Sequence, residues 1–287
     1  DIMLRKIEIL IGMEKIEEAL ENLDLFIQIN PDLFEGYHLK FLILIENNRL
    51  QEAQQILQSA MAMFPEDEGF LFDKVILFEE QQKIQEALEI LETVFKNNNS
   101  KIVLNEKAKI YLSQNEVQKA KNTLKQIIDL NKDEFNEDSS FYLIMIYISE
   151  NDYLNAQKYI DEIIEYKNEG IYYYSALFLK GQVIKALYGQ NSCKDYYENT
   201  VGILRQGSLD YPDNLDLIIY RGIIYKELEN YERALEMANY ILAISDNIGE
   251  AYLLRAQIYE AMGDIEKSQS DKKLAVDKSE ILNKFGI

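Results

Sequence analysis

Residues 251–268 read AYLLRAQIYEAMGDIEKS, and the order of small, aromatic and turn-forming residues in this stretch decides the fold. A small residue, Ala256, is followed by Tyr259, then by the turn Gly263-Asp264, and then by a second small residue, Ser268. Apolar residues recur three and four apart on both sides of the turn, which is typical of two amphipathic helices. The stretch therefore predicts a helical hairpin.

The same arrangement recurs along the whole chain at a spacing of 33 to 41 residues. A column of small residues is formed by Ala19, Ala53, Ala87, Ala120, Ala156, Cys193, Ala234 and Ser268. A second column, upstream of the first, is formed by Ile7, Phe41, Val75, Ala108, Ile144, Gly181, Gly222 and Ala256. A third column of large apolar or tyrosine residues is formed by Leu10, Leu44, Phe78, Tyr111, Tyr147, Ile184, Tyr225 and Tyr259. The small residues are expected where the two helices of a hairpin approach closely, and the large ones between hairpins.

The three prolines support the same alignment of the repeats. Pro31, Pro65 and Pro212 each follow an amphipathic stretch and precede an acidic residue, so each ends one helix where a carboxylate can cap the next. Because one hairpin cannot bury its own apolar face, neighbouring hairpins are expected to stack. The predicted repeats are approximately residues 1–33, 34–67, 68–100, 101–136, 137–173, 174–214, 215–248 and 249–278, with residues 279–287 as a partial cap.

These columns resemble the tetratricopeptide repeat, whose family pattern has a small or aliphatic eighth position, an aromatic eleventh, Ala at the twentieth and Pro at the thirty-second. The resemblance implies an all-α fold, a right-handed α-solenoid (superhelix) of antiparallel helical hairpins with about 16 helices, forming a single array over residues 1–287. The chain departs from the pattern at Ile7, Phe41 and Val75, where the family prefers Gly or Ala, and it has no Trp. Extra residues around Lys167–Gly170 and Leu204–Asp210 are expected to stretch the fifth and sixth repeats.

Composition argues against several classes of partner. The formal net charge of -20 would repel phosphate backbones and anionic lipid headgroups, so no nucleic-acid partner is expected. The apolar run Phe141–Ile148 is far shorter than a membrane span, so no membrane insertion is expected. A single cysteine rules out an internal disulfide and suits a reducing compartment such as the cytoplasm. Export or lipid anchoring stays open, because the first residue is Asp1 and an N-terminal segment is expected to have been trimmed.

The inventory of reactive groups predicts that the chain is not an enzyme and holds no cofactor or metal. There is one histidine and one cysteine, and no zinc, phosphate-loop or serine-hydrolase motif occurs. Cys193 belongs to the small column and is therefore predicted to pack as a small apolar residue. The acidic stretch from Asp133 to Asp138 lacks the spacing and glycine of a calcium loop.

The resemblance implies that partners bind on the concave side, which the first helix of each hairpin lines. The fifth and ninth positions of the second to seventh repeats are His38, Leu42, Phe72, Ile76, Asn105, Lys109, Phe141, Met145, Phe178, Gln182, Ile219 and Ile223. Most are apolar and acidic residues lie beside them, which favours an apolar or amphipathic, basic protein segment as the partner. Packing between neighbouring repeats is the alternative explanation for the apolar face. Only Asn105 and Lys109 resemble the clamp that binds acidic tails, so no acidic-tail binding is expected.

The leading hypothesis is a non-catalytic binding scaffold or adaptor. Three alternatives remain at this stage: a substrate-presenting region of a larger enzyme, the peptide-sensing part of a regulator, and self-association.

Overall fold

The computed structural model describes residues 2–65, 67–98, 100–130, 135–166 and 170–278, and in these ranges it contains helices and no strand. The helices in chain order are α1 (Ile2–Gly12), α2 (Ile16–Ile29), α3 (Phe34–Glu46), α4 (Leu50–Met63), α5 (Gly69–Glu80), α6 (Ile84–Asn98), α7 (Lys101–Ser113), α8 (Val117–Leu130), α9 (Glu137–Ser149), α10 (Tyr153–Tyr166), α11 (Ile171–Tyr188), α12 (Lys194–Asp210), α13 (Asp216–Glu227), α14 (Tyr231–Ile244), α15 (Gly249–Ala261) and α16 (Ile265–Lys278). A short 3-10 helix, Gln190–Cys193, lies between α11 and α12.

The chain forms two compact units, Asp1–Ile127 (unit 1) and Ile128–Ile287 (unit 2). In each unit the odd-numbered helix of a hairpin, here called the A helix, is followed by an even-numbered B helix. Pairs such as α3 with α4 in unit 1 and α13 with α14 in unit 2 pack together, and neighbouring A helices also touch, as α3 with α5 and α11 with α13 do. The predicted all-α class of helical hairpins, an α-solenoid fold, is confirmed.

The small column is the centre of each hairpin. Its first seven members, Ala19 to Ala234, have no exposed surface, and Ser268 is buried as well. A larger side chain at any of these positions would hold the two helices apart, which explains why each member is small. Cys193 is therefore a packing residue, as predicted: its thiol donates a hydrogen bond of 3.1 Å to the carbonyl oxygen of Gln190.

The turn between the A and B helices has the same backbone geometry in seven hairpins. One residue in each turn has a positive φ between 56° and 82°, and these residues are Glu14, Asn48, Gln82, Asn115, Asn151, Glu229 and Gly263. In the second hairpin the next residue, Arg49, donates its N–H to the Leu44 carbonyl at 2.8 Å, and Asn48 N–H donates to Ile45 at 2.9 Å. This is the Schellman pattern, which satisfies carbonyl groups at the end of the A helix.

The sixth hairpin is built differently. Its A helix, α11, has 18 residues and its B helix, α12, has 17, whereas the other B helices have 14 or 15. Gly189, with φ of 90°, and the 3-10 helix replace the usual turn. The extra residues expected around Leu204–Asp210 thus lie inside the longer α12. Residues 167–169 and the expected cap, residues 279–287, lie outside the described residues.

Candidate functional site

The predicted partner-binding residues of unit 1 lie on three A helices. His38 and Leu42 are on α3, Phe72 and Ile76 on α5, and Asn105 and Lys109 on α7. All except Lys109 are half-buried. Leu42 and Ile76 pack against one core cluster and Phe72 packs against the next. Leu42, Phe72 and Ile76 therefore pack against the core with part of their surface, and the rest of their surface remains accessible.

His38 is held by a buried carboxylate on the neighbouring A helix. Its Nδ1 lies 2.9 Å and 3.0 Å from the two carboxylate oxygens of Asp73, which is only 1% exposed, and its ring stacks on Phe34 at 5.1 Å between centroids. The hydrogen bond with Asp73 raises the pKa of His38 above its ordinary value, against the opposite effect of burial. The repeat pattern predicted the position of His38 on this face, but it did not predict the contact with Asp73. The available signal was an aspartate between Phe72 and Val75, 35 residues after the only histidine.

An acidic cluster, Glu79, Glu80 and Glu106, lies where α5 ends and α7 passes. Burial raises the pKa of Glu79, and the charges of Glu106 and Glu80 raise it further. Lys109 donates a hydrogen bond of 2.8 Å to Glu106. Since Glu79 follows Ile76 by three residues, the two share one face of α5. The apolar part of this face therefore ends at a carboxylate whose negative charge is incompletely compensated.

In unit 2 the predicted residues differ widely in exposure. Met145 on α9 is 47% exposed, whereas Phe178 on α11 is only 4% exposed because its ring stacks on Tyr220 of α13 at 4.3 Å. Phe141 on α9 packs on Tyr172 at 5.0 Å. Ile219 and Ile223 of α13 are half-buried against local core clusters. Of these apolar side chains, Met145 presents the most surface to a partner.

Polar groups follow the apolar ones toward the ends of α11 and α13. Gln182 lines a cavity of about 300 Å³ together with Lys185, Ile223 and Glu227. Burial alone would raise the pKa of Glu227, but hydrogen bonds from Lys185 at 2.6 Å and Gln190 at 2.8 Å hold it below its ordinary value. At this end of the face the negative charge of Glu227 is thus compensated by neighbouring groups of the chain itself. This differs from the acidic cluster of unit 1.

Among the described residues, the one cysteine does not meet the requirements of a reactive thiol, and the candidate metal ligands do not meet those of a metal site. Cys193 is fully buried, and burial raises the pKa of its thiol, which disfavours the reactive thiolate. No group of three or more His, Cys, Asp or Glu side chains in the described ranges is placed to hold a metal ion. None of the described helices is both long and apolar enough to cross a bilayer.

Helical hairpins with a buried small column and a shared turn define a class, the helical-repeat proteins. Tetratricopeptide-repeat family models match residues 44–110, 103–134 and 249–277. Tetratricopeptide repeats are thus matched in both units, and the sixteen described helices are consistent with about eight such repeats. No curated protein matches this chain.

Solved structures support the same fold. A tetratricopeptide-repeat protein from Parabacteroides merdae is 19% identical, with a TM-score of 0.60 over 85% of this chain and 93% of that one. The C-terminal part of a repeat protein from Cytophaga hutchinsonii is 14% identical, with a TM-score of 0.53 over 86% and 97%. Yeast Tom70 is 10% identical, with a TM-score of 0.61 over 93% of this chain and 56% of its own. At these identities the similarity concerns the fold alone.

Proposed function

We propose that this chain is a non-catalytic scaffold whose A helices hold an apolar or amphipathic, basic protein segment. Tetratricopeptide repeats commonly mediate protein–protein interaction. The observation that carries the proposed preference is the acidic cluster at the end of an apolar face, because Glu79 is half-buried beside two further carboxylates. A lysine or arginine from a partner would compensate that charge, while apolar side chains of the same segment would cover Leu42, Phe72 and Ile76.

The electrostatic part of the proposal is tested with a defined peptide. We expect the amphipathic, cationic 14-residue peptide LKKLLKLLKKLLKL, amidated at its C-terminus, to bind in a calorimetric titration. The double variant Glu79→Gln with Glu80→Gln should weaken binding about fivefold, since two partly exposed ion pairs contribute on the order of 1 kcal/mol. A matched control, Glu21→Gln with Glu86→Gln, removes two exposed charges from B helices of the same unit and should leave the affinity unchanged. Equal weakening by both double variants would mean that only the net charge attracts the peptide.

The apolar part of the proposal is tested in unit 2. Met145→Asp should weaken binding of the same peptide, because it places a charge where an apolar side chain would dock. Leu154, which is 69% exposed on the B helix α10, supplies the matched control Leu154→Asp. Both side chains are exposed, so neither substitution should unfold the protein. If Met145→Asp left the affinity unchanged, the A-helix face of unit 2 would not bind the peptide.

Acidic segments are expected not to bind the A helices. The only clamp-like residues are Asn105 and Lys109, and Lys109 is already paired with Glu106. The acidic analogue LEELLELLEELLEL, also amidated at its C-terminus, should therefore give no heat of binding at concentrations where the cationic peptide saturates. Micromolar binding of the acidic peptide would overturn the proposed preference.

A further inference from the structure

A second candidate site lies on the other side of α13. In unit 2, a cavity of about 330 Å³ is bounded by the end of α12, the loop that follows it, α13 and α14. Helix α13 contributes Ile218 and Arg221 to this cavity. At about 100° per residue, these two residues point roughly 150° away from Ile219 and Ile223, so the cavity is separate from the A-helix face.

Two guanidinium groups, those of Arg221 and Arg205, line the cavity. The Nε of Arg221 is buried, and within the part of the chain that the structure describes it has no hydrogen-bond partner. Arg205, from α12, lines the same cavity. Two arginines elsewhere in the chain are neutralised, Arg49 by Glu17 and Glu52, and Arg255 by Asp271. A buried donor on a cation is costly to leave unsatisfied, so an anion at this position would be bound favourably.

No carboxylate is among the described residues that line the cavity. Asp210, at the end of α12, accepts hydrogen bonds from the hydroxyl of Tyr174 at 3.1 Å and from the amide of Gln206 at 3.0 Å. Asp213, in the following loop, is exposed and does not line the cavity. In a chain of net charge -20, a cavity whose described lining contains two arginines and no carboxylate is therefore a local reversal of the surface charge.

The rest of the cavity is apolar and continues onto the surface. Ile218 and Met237 line its wall, and Leu209 and Tyr240 line its mouth with more than half of their side chains exposed. Ile244, also more than half exposed, lies one turn after Tyr240 on α14 and extends the same surface. The cavity volume is at the small end of the roughly 300–1,000 Å³ range of ligand sites, which suits one residue-sized group.

We propose that this cavity binds the C-terminal end of a polypeptide whose last side chain is apolar. The terminal carboxylate accepts hydrogen bonds from Arg221 and Arg205, which present the fork of donors that carboxylates bind best. The last side chain packs on Leu209, Met237 and Tyr240. A chain end supplies the anion and the apolar group within one residue, as the size of the cavity requires.

The probes for this site are three capped dipeptides, titrated against the full chain and followed by backbone and arginine Nε–H nuclear magnetic resonance. N-acetyl-Ala-Leu, with a free carboxylate, should shift signals of residues 205–240 in a saturable way. N-acetyl-Ala-Leu-amide, which lacks the charge, should not. N-acetyl-Glu-Leu-amide carries its carboxylate on a side chain and should bind at least tenfold more weakly. Equal binding of either amide would overturn the assignment to a chain end.

Variants then test the arginines. Arg221→Gln and Arg205→Gln should each weaken binding of N-acetyl-Ala-Leu by about tenfold, which corresponds to the loss of one charge-assisted hydrogen bond. Arg205 is exposed, so its variant keeps the test decisive even if Arg221→Gln disturbs folding. Arg5→Gln removes an exposed positive charge from α1 in unit 1 and is the matched control. If Arg205→Gln weakened binding no more than Arg5→Gln does, the proposal would be wrong.

Discussion

Gly181 is the position where one added methyl group should disturb the core most. An ideal Cβ at Gly181 would lie 2.0 Å from Cε1 of Tyr197, whose ring is buried. Gly181→Ala should therefore lower the free energy of unfolding by about 1–3 kcal/mol, measured by urea denaturation followed by circular dichroism. The control is Gly202→Ala on α12, where nothing lies within 4 Å, and which should stabilise by about 0.5–1 kcal/mol through helix propensity. Unchanged stability of Gly181→Ala would contradict the packing described.

His38 should titrate above its ordinary pKa, and this can be observed directly because the chain has one histidine. Proton resonances of its ring should report a pKa above 6.5 in the native protein. Asp73→Asn should lower that value, since the hydrogen bond with the carboxylate is the main cause of the shift. The control Glu21→Gln also removes one negative charge, but at another position, and it should leave the pKa of His38 unchanged.

The His38–Asp73 pair should also make stability depend on pH. Because folding raises the pKa of His38, its contribution to stability is fully present below the unfolded value of about 6.5. That contribution is lost as the pH rises through the folded pKa. In urea titrations, the stability difference between the native chain and His38→Gln should shrink from pH 5.5 to pH 8.5. A difference that grows with pH would contradict the assigned pair.

At the scale of the helical hairpin, the shared turn carries strain in most copies. Gln82 and Glu229 adopt φ of 59° and 61°, a region that residues other than glycine rarely occupy. Gln82→Gly and Glu229→Gly should each raise the free energy of unfolding by a few tenths to about 1 kcal/mol. Gly263→Ala, at φ of 82°, should have the opposite effect. Thermal and urea unfolding of the three variants would decide this, and stabilisation by Gly263→Ala would be inconsistent with the turn geometry.

The hairpins themselves were predictable because small side chains must lie where two helices meet. Every member of the small column is buried, from Ala19 to Ser268. The third column was predicted to fill space between hairpins, and several of its members are only half-buried. Lys83 lies 5.6 Å from the ring of Phe78, and Lys267 lies 5.2 Å from that of Tyr259. Periodicity gives the direction of a side chain, but it does not show which cation covers its outer surface.

The exposure of the candidate binding residues was harder to predict, because it depends on the next hairpin. Phe178, at a fifth position, is covered by Tyr220, at the sixth position of the following repeat. His38 and Asp73 stand in the same relation. The accessibility of a fifth position therefore depends on the side chain at the sixth position of the next repeat. Met145, at a ninth position, remains accessible.

At the scale of the whole molecule, charge should limit stability. The chain carries 50 acidic and 30 basic side chains, and most of the observed ion pairs are at least partly exposed. Exposed pairs contribute little, whereas a large net charge opposes the compact state. The melting temperature should therefore rise by a few degrees between about 10 and 200 mM NaCl, as screening weakens the repulsion. A lower melting temperature in salt would show that the ion pairs outweigh the repulsion.

At this scale, the succession of hairpins along the chain could be predicted from the sequence. Their division into two compact units could not. The spacing of the columns gives the number of hairpins, but it contains no information on how many contacts each hairpin makes with the next. The division falls inside α8, a helix whose sequence pattern resembles that of the other B helices. The single array inferred from the sequence stays a prediction.

Because the thiol of Cys193 is fully buried, the rate at which it is chemically labelled can report a local opening of the protein. A thiol reagent in solution cannot reach a side chain with no exposed surface, so labelling must wait until the packing of the 3-10 helix Gln190–Cys193 on α11 opens. As this is the only cysteine, every labelled molecule reports that one event. The rate at which the sixth hairpin opens locally can thus be measured in the unmodified protein, without introducing a probe. This hairpin is the longest and most irregular of the series.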